Sequence, residues 1–133
     1  MRYVIDCSFS SALFLPDEKA DEVKKFMTQV QPDEEIYIPL LWWYETLNVL
    51  HTALKRNRLK QADITNVISL LEQLNFKTDL KYGNEFSKDI MHISKLYDLT
   101  SYDATYLELA VRKKAKLMSI DEKLQKVAKE HGI

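Results

Sequence analysis

The sequence predicts a single α/β domain in which a short parallel sheet has helices on both faces. Its 133 residues suit one ordinary domain, so we expect residues 1–133 to fold together. Only two Gly and three Pro occur, which indicates short loops and a high helix content. Short strand-like segments alternate with longer helical ones, and this alternation is typical of a parallel sheet.

The first third of the chain contains two predicted strands. Residues 2–6 are rich in Tyr, Val and Ile and end at an acid, and an apolar stretch over residues 9–15 follows. Residues 17–30 have apolar side chains at helical spacing and acids in the first turn, which predicts a helix. Residues 36–38 form the second strand, and the Pro39 that ends it also suits the first turn of a helix.

The remaining segments continue the alternation of helix and strand. Apolar stripes predict helices over residues 40–56, 60–74, 83–97, 103–113 and 121–130. Between them, residues 76–78 form a weak strand and residues 116–120 a clearer one. We therefore expect four strands, all joined through helices.

Composition excludes several classes of protein. The net charge is −1, which gives no electrostatic reason to expect a nucleic-acid coat protein. The single Cys7 excludes a disulfide framework and a thiolate zinc site, and it fits a reducing cytoplasm. The acidic Asp6 interrupts any signal peptide, and no apolar run approaches the roughly 20 residues of a membrane span. We expect a cytoplasmic protein with no membrane partner.

Positive charge is concentrated in two short segments. Residues 55–60 and 112–116 hold most of the basic excess of the second half of the chain. Such clusters can contact phosphates, but Lys and Arg are also favoured at helix C-termini by the helix dipole. We prefer the helix-end interpretation.

Four acids fall near one edge of the predicted sheet, where ligands of open parallel sheets bind. Asp6 ends the first strand, Glu45 lies in the second turn of the helix after the second strand, Asp103 starts a helix, and Asp121 follows the fourth strand. Carboxylates at close range raise one another's pKa unless a cation neutralises them. Mg²⁺ or Mn²⁺ prefers such oxygen ligands, whereas the three His residues lie in different helices and argue against zinc.

Each acid also has a purely structural interpretation. Asp103 is a candidate N-cap or first-turn acid, with Ser101 as another candidate cap. Ser119 and Glu122 have the spacing of a capping box, which would leave Asp121 as a helix-favouring acid. Glu45 resists this explanation, because a carboxylate among so many apolar neighbours is costly without a partner. As a set, the four acids favour a metal site.

Four stretches of the chain resemble the PIN domain, and in particular the small VapC-type toxin ribonucleases of toxin–antitoxin modules. They are Val4–Ser8, Pro39–Leu50, Leu99–Ala110 and Leu117–Asp121. The most specific stretch reads Y-D-A-x-Y-L-x-L-A and begins at Tyr102. The resemblance implies a PIN-like three-layer α/β/α fold and an endoribonuclease dependent on Mg²⁺ or Mn²⁺, with RNA as substrate and a cognate antitoxin protein as partner.

The resemblance also assigns roles to individual residues. Asp6, Glu45, Asp103 and Asp121 take the family's acidic positions, so that they would bind the metal and carry catalysis. Ser8 and Ser119 match hydroxyl positions beside the site, Ser119 standing where Thr is commoner. Asn48, one turn beyond Glu45, is a candidate to support it.

The sequence departs from the family in two places. Cys7 replaces the commoner Thr, which we interpret as a small packing change. The chain shown ends at Ile133, where many relatives continue into a fifth strand, so we expect four strands with a fifth possible.

Two other functions are alternatives to the ribonuclease. A receiver-type signalling domain would need an acid pair after the first strand, a phospho-accepting Asp after the third and a Lys after the last. Here Asp6 is followed by Cys7, and the last strand ends in an acid, so this alternative fails. A catalytically idle PIN-like module that binds RNA or protein would be favoured by loss of an acid, and all four are present.

Apolar side chains between residues 40 and 74 also bear on assembly. This region contains Trp42, Trp43, Leu50, Leu59 and Ile64. The resemblance implies a homodimer, and we expect these helices or their neighbours to form its interface. The alternative, that residues 40–59 belong mainly to the core, is the commoner arrangement.

Overall fold

In the computed structural model, which describes residues 1–15 and 19–133, a four-stranded parallel sheet lies between two layers of helices. The strands are β1 (Arg2–Ile5), β2 (Glu35–Pro39), β3 (Lys77–Asp79) and β4 (Lys116–Met118). The helices are α1 (Cys7–Ser11), α2 (Ala20–Gln29), α3 (Leu40–Lys55), α4 (Gln61–Gln73), α5 (Asn84–Tyr97), α6 (Ser101–Lys113) and α7 (Glu122–Glu130). The predicted fold class is confirmed.

The order of the strands creates a natural binding position. They lie in the order β3-β2-β1-β4 and pair in parallel, so the chain moves from β1 outward to β3 and then returns to the other side of β1. Ligands of open parallel sheets bind outside the carboxyl ends of the strands where the order reverses. Here that position lies between the ends of β1 and β4.

Successive residues of β1 enter different cores. Val4 belongs to the larger core, beneath the layer that includes α3, α4, α6 and α7, whereas Ile5 packs with residues of α1 and α2 on the other face. Both side chains are fully buried, as expected for a central strand whose side chains alternate between two covered faces. The sheet edge therefore holds its loops on a rigid base.

Several predicted boundaries were wrong, and one helix was missed. Helix α1 was not predicted because its five residues are too short to show a period, and its start depends on a capping bond from Phe9 N–H to the Asp6 side chain. The bounds of all four strands differ from prediction by one or two residues. The predicted helix over 17–30 is seen as α2, and the predicted start at Asp17 lies outside the described residues.

The two basic segments include the last turns of helices, which agrees with the helix-end interpretation. Lys55 lies in the last turn of α3, and Arg112 and Lys113 in the last turn of α6. Arg112 also makes two hydrogen bonds to Asp79, at 3.0 and 2.7 Å, and pairs with Glu108 one turn earlier. This bidentate pair ties α6 to the carboxyl end of β3.

Asp79→Asn is expected to lower the free energy of unfolding at neutral pH by about 1–2 kcal/mol, because a half-buried charged hydrogen bond is lost. The Arg112 guanidinium holds the pKa of Asp79 below its usual range, so this stabilisation exists above the unfolded-state pKa of about 3.9 and is lost as pH falls through the lower folded-state value. Urea unfolding at neutral and acid pH measures the difference. An equal loss at both pH values, or a loss in the exposed control Glu72→Gln, would contradict it.

Candidate functional site

Asp6 lies at the position between β1 and β4 and is held by three donors. Its Oδ1 accepts hydrogen bonds from Ser8 Oγ at 2.7 Å and Phe9 N at 2.9 Å, and its Oδ2 accepts one from Ser119 Oγ. Only 4% of the residue is exposed. A carboxylate offers about four acceptor positions, so Oδ2 keeps room for a further ligand.

Ser119 connects Asp6 to the start of α7. While its hydroxyl donates to Asp6, the same oxygen accepts the backbone N–H of Asp121 at 3.0 Å. Ser8 lies 3.4 Å from Ser119, Oγ to Oγ, and completes a small hydroxyl cluster around the carboxylate. These two serines orient Asp6 and hold the two strand ends together.

Glu45 reaches the site from the second turn of α3. It is half-buried, and its Oε1 accepts a hydrogen bond of 2.6 Å from the hydroxyl of Tyr106 on α6. Tyr106 therefore supplies the hydrogen-bond partner that a carboxylate among apolar side chains needs. The sequence analysis assigned Tyr106 no role at the site; its position three residues after Asp103, on the same helical face, was the available signal.

Asp103 does not cap its helix. The hydroxyl of Thr100 caps α6 by accepting the backbone N–H of Asp103 at 3.1 Å, so the predicted capping role of Asp103 or Ser101 was wrong. Thr100 has the extended backbone that an N-cap requires, whereas Ser101 and Asp103 already lie inside the helix. The Asp103 side chain, which is half-buried, makes no hydrogen bond within the described part of the chain. Its carboxylate is left for another purpose.

Asp121 caps α7, and the predicted capping box was wrong. The Asp121 side chain accepts the backbone N–H of Leu124 at 2.9 Å. Ser119 lies two residues before this N-cap, so the N–H that its oxygen accepts is that of Asp121 and not one inside the helix, and its hydroxyl proton goes to Asp6. One Asp121 oxygen remains for other ligands.

Asn48 is one turn from Glu45 but does not support it in this structure. Its side chain is exposed, and among the described residues it makes no hydrogen bond to Glu45. It lines a shallow cavity with Thr52 and Arg56 instead. The structure therefore brings Ser8 and Ser119 to an acid, but not Asn48.

The acids repel one another. Burial raises the pKa of Asp6 despite its three hydrogen bonds, and the negative charge of Asp103 raises it further. Burial also raises the pKa of Glu45, with added repulsion from Asp103 and Asp6, while the Tyr106 hydrogen bond acts the other way. The pKa of Asp103 is raised by burial and by Asp121, against a smaller opposing effect of Lys123.

This donor set fits a hydrated hard cation. Within residues 1–15 and 19–133, none of the four acids forms an ion pair with Lys or Arg, so no cationic side chain is in direct contact with their charge. No three acidic, His or Cys side chains in that part of the chain lie close enough to enclose an ion directly. Mg²⁺ usually keeps several waters and binds through one or two carboxylates, so a hydrated ion suits carboxylates spaced in this way.

Comparisons with known proteins agree with this geometry. The sequence model of the PIN domain matches residues 3–130. Ribonuclease VapC3 of Pyrobaculum aerophilum is 27% identical over 124 residues, covering 93% of this chain and 92% of that protein.

Two crystal structures are also similar. PAE2754 from Pyrobaculum aerophilum has a TM-score of 0.64 and 25% identity, covering 93% of this chain and 82% of that one. VapC20 of Mycobacterium tuberculosis, described as a toxin that cleaves the sarcin–ricin loop, has a TM-score of 0.71 and 16% identity, covering 94% of both chains. The latter likeness concerns the fold.

Proposed function

Because the chain belongs to the PIN domain family, we propose that it is a metal-dependent endoribonuclease that hydrolyses RNA phosphodiester bonds. The observation that carries the proposal is the mutually repelling set at the edge of the sheet, which comprises Asp6, Glu45, Asp103 and Asp121 and has no ion pair to Lys or Arg among the described residues. The name of the 27% identical relative, Ribonuclease VapC3, supports the same activity.

The four acids would hold Mg²⁺ or Mn²⁺. When bound, such an ion supplies an activated water and offsets the negative charge that develops on the phosphodiester. Ser8 and Ser119 orient Asp6 by donating to it, and their hydroxyls fix it at the position between β1 and β4. Asp121 remains beside Asp6 because Ser119 Oγ also accepts its backbone N–H.

Cleavage of single-stranded or looped RNA is expected only with Mg²⁺ or Mn²⁺, and EDTA is expected to stop it. The physical reason is that four repelling carboxylates provide no positive charge of their own for the phosphodiester. Gel analysis of RNA incubated with each metal or with EDTA measures this. Equal cleavage in EDTA and Mg²⁺ would overturn the metal-dependent mechanism, and RNA binding without cleavage would favour the idle module.

The same resemblance supports a role as the toxin of a toxin–antitoxin module. We propose that residues 1–133 act as one domain in the cytoplasm, where RNA is available, and that a cognate antitoxin protein inhibits them. No helix of residues 1–15 and 19–133 combines the length and apolar character needed to cross a membrane.

Expression of the chain is expected to arrest growth, and co-expression of a small DNA-binding antitoxin from an adjacent reading frame is expected to relieve the arrest. Unimpaired growth would contradict the toxin role.

The proposed homodimer needs a different surface from the one first expected. Trp42 and Leu50 are buried in the core, because α3 packs its inner face on the sheet, so they are not available to a partner. Exposed apolar side chains instead surround a cavity of about 530 Å³ beside α3, α5 and α6. They are Leu40, Leu80, Tyr82, Met91 and Tyr102. A second copy would bury this surface in a two-fold contact.

Light scattering at high micromolar concentration is expected to report a dimer. Met91→Lys is expected to give a monomer, because it places a charge in the apolar contact. Leu70→Lys is the matched control, since Leu70 is an exposed residue of α4 outside the lining of this cavity. A monomeric native chain, or equal effects of the two variants, would contradict the proposed interface.

A further inference from the structure

Tyr106 is a buried residue that contacts the acidic site through its hydroxyl alone. Its exposed fraction is 2%, and its ring belongs to the larger core, which also includes Val4, Ile38 and Trp42. The hydroxyl donates to Glu45 Oε1 across 61 positions of sequence, at 2.6 Å. Packing alone would be satisfied by Phe, whereas a buried hydroxyl requires a partner.

We propose that Tyr106 is a positioning residue that holds the Glu45 carboxylate in place for the divalent ion. This inference rests on the metal site of the proposed function. The flexible side chain of Glu45 has several rotamers, and the hydrogen bond to a fixed phenol selects among them. Since Asp103 lies on α6 one turn before Tyr106, the bond also fixes Glu45 relative to the helix that carries Asp103.

The hydrogen bond uses one Glu45 oxygen and leaves the other. Among the described residues, the Glu45 side chain hydrogen-bonds to Tyr106 alone, so its Oε2 is available to an ion or its waters. A carboxylate oxygen only accepts hydrogen bonds, so the Tyr106 hydroxyl is the donor and Glu45 Oε1 the acceptor in this contact.

A purely structural role for the hydroxyl makes a different prediction. If Tyr106 only completes the core, its loss changes stability and leaves the affinity for metal unchanged. If it positions Glu45, its loss weakens metal binding even in a fully folded protein. Metal affinity in the absence of RNA therefore separates the two roles.

Mn²⁺ binding to the full chain, measured by calorimetry without RNA, tests the proposal. We expect Tyr106→Phe to weaken binding by about 10–100-fold, which is the usual effect of removing a group that orients a metal ligand. Tyr37→Phe is the matched control, because Tyr37 also donates to a glutamate. That glutamate, Glu35, is the first residue of β2 and lies at the end of the strand away from the acids. We expect it to leave the affinity within about twofold. Unchanged affinity in Tyr106→Phe would overturn the proposal.

A double variant tests whether Tyr106 acts through Glu45. In a Glu45→Gln background, adding Tyr106→Phe is expected to cause no further loss of Mn²⁺ affinity, because the charged acceptor is already gone. A further tenfold loss would overturn the proposal.

Glu45→Asp tests the same contact by changing the acceptor, since it keeps the charge but shortens the side chain that reaches the phenol. It is expected to weaken Mn²⁺ binding even if Tyr106→Phe fails to fold, and native affinity would count against the proposal.

RNA cleavage gives a second readout. The cleavage rate of Tyr106→Phe is expected to recover when Mn²⁺ is raised by about 100-fold, in proportion to the weakened affinity. If the Mn²⁺ affinity depends on Tyr106 but the native chain cleaves no RNA, the proposed function is overturned and this inference stands. If the native chain cleaves RNA but its Mn²⁺ affinity does not depend on Tyr106, the inference is overturned and the proposed function stands. A native chain that binds no Mn²⁺ would overturn both.

Discussion

Asp103→Asn is expected to reduce RNA cleavage at least about a hundredfold, equivalent to about 2.7 kcal/mol of transition-state stabilisation. The same variant is expected to keep or raise the stability of the metal-free protein. Burial and Asp121 raise the pKa of Asp103, and a carboxyl whose pKa rises on folding destabilises the folded state at higher pH. Cleavage assays and thermal melts with and without Mg²⁺ measure both effects.

Two controls separate this chemistry from helix capping and from loss of charge. Thr100→Ala removes the actual cap of α6 and is expected to cost about 0.5–2 kcal/mol of stability with the acids in place. Asp98→Asn removes an exposed acid on the loop before α6, where the backbone φ of 52° suits Asn. It is expected to cleave at the native rate. A fully active Asp103→Asn protein would refute the mechanism.

The same amide replacement at Asp6, Glu45 or Asp121 is expected to abolish most cleavage for the same reason. The three differ in stability, because Asp6 and Asp121 also cap helices. Asn is a competent N-cap, so Asp121→Asn is expected to remain folded while losing activity. Full activity in any of these variants would remove that residue from the site.

Trp42→Ala is expected to lower the free energy of unfolding by about 3–5 kcal/mol, a large part of the 5–15 kcal/mol that stabilises a typical domain. Trp42 has no exposed surface, packs edge-on against Trp43 and Phe76, and donates its indole N–H to Ser10 Oγ at 2.9 Å. Replacement leaves a cavity and removes the hydrogen bond that the Ser10 hydroxyl accepts, while that hydroxyl can still donate to the backbone oxygens of Asp6 and Cys7. Urea unfolding followed by circular dichroism measures the loss.

Tyr44 provides the control on the same helix. It is 67% exposed, so Tyr44→Ala is expected to change stability by no more than about 0.5 kcal/mol. If Trp42→Ala cost less than Tyr44→Ala and instead dissociated a dimer, the buried position of Trp42 would be wrong and the first-expected interface would be right.

The fold class and the location of the acids could be predicted from sequence because both depend on local pattern. Short strands alternating with periodic helices specify a parallel sheet, and the carboxyl ends of parallel strands meet at one edge. Asp6 and Asp121 follow their strands closely in the chain, so their arrival at that edge follows from topology. A one-residue error in a strand end does not move them away from it.

The partners of those acids depended on the tertiary structure. Tyr106 and Glu45 lie 61 positions apart, and no periodicity shows that a phenol from α6 meets a carboxylate from α3. The same holds for Ser119: its local spacing favoured a capping box, but Asp121 caps α7 and the Ser119 hydroxyl donates to Asp6, which follows the neighbouring strand. Contacts between distant segments override local preferences because a buried carboxylate must be hydrogen-bonded.

The sequence by itself therefore determined that the chain forms a parallel sheet with helices on both faces and that Asp6 and Asp121 follow strands at one edge of it, since each follows from patterns within one segment. The tertiary structure decided which hydroxyl serves which acid, that Thr100 and Asp121 cap their helices, and that Trp42 lies in the core while Asn48 faces solvent. The physical reason is that burial and hydrogen bonding across elements are settled only when the helices pack on the sheet, where the desolvation of each polar group must be compensated.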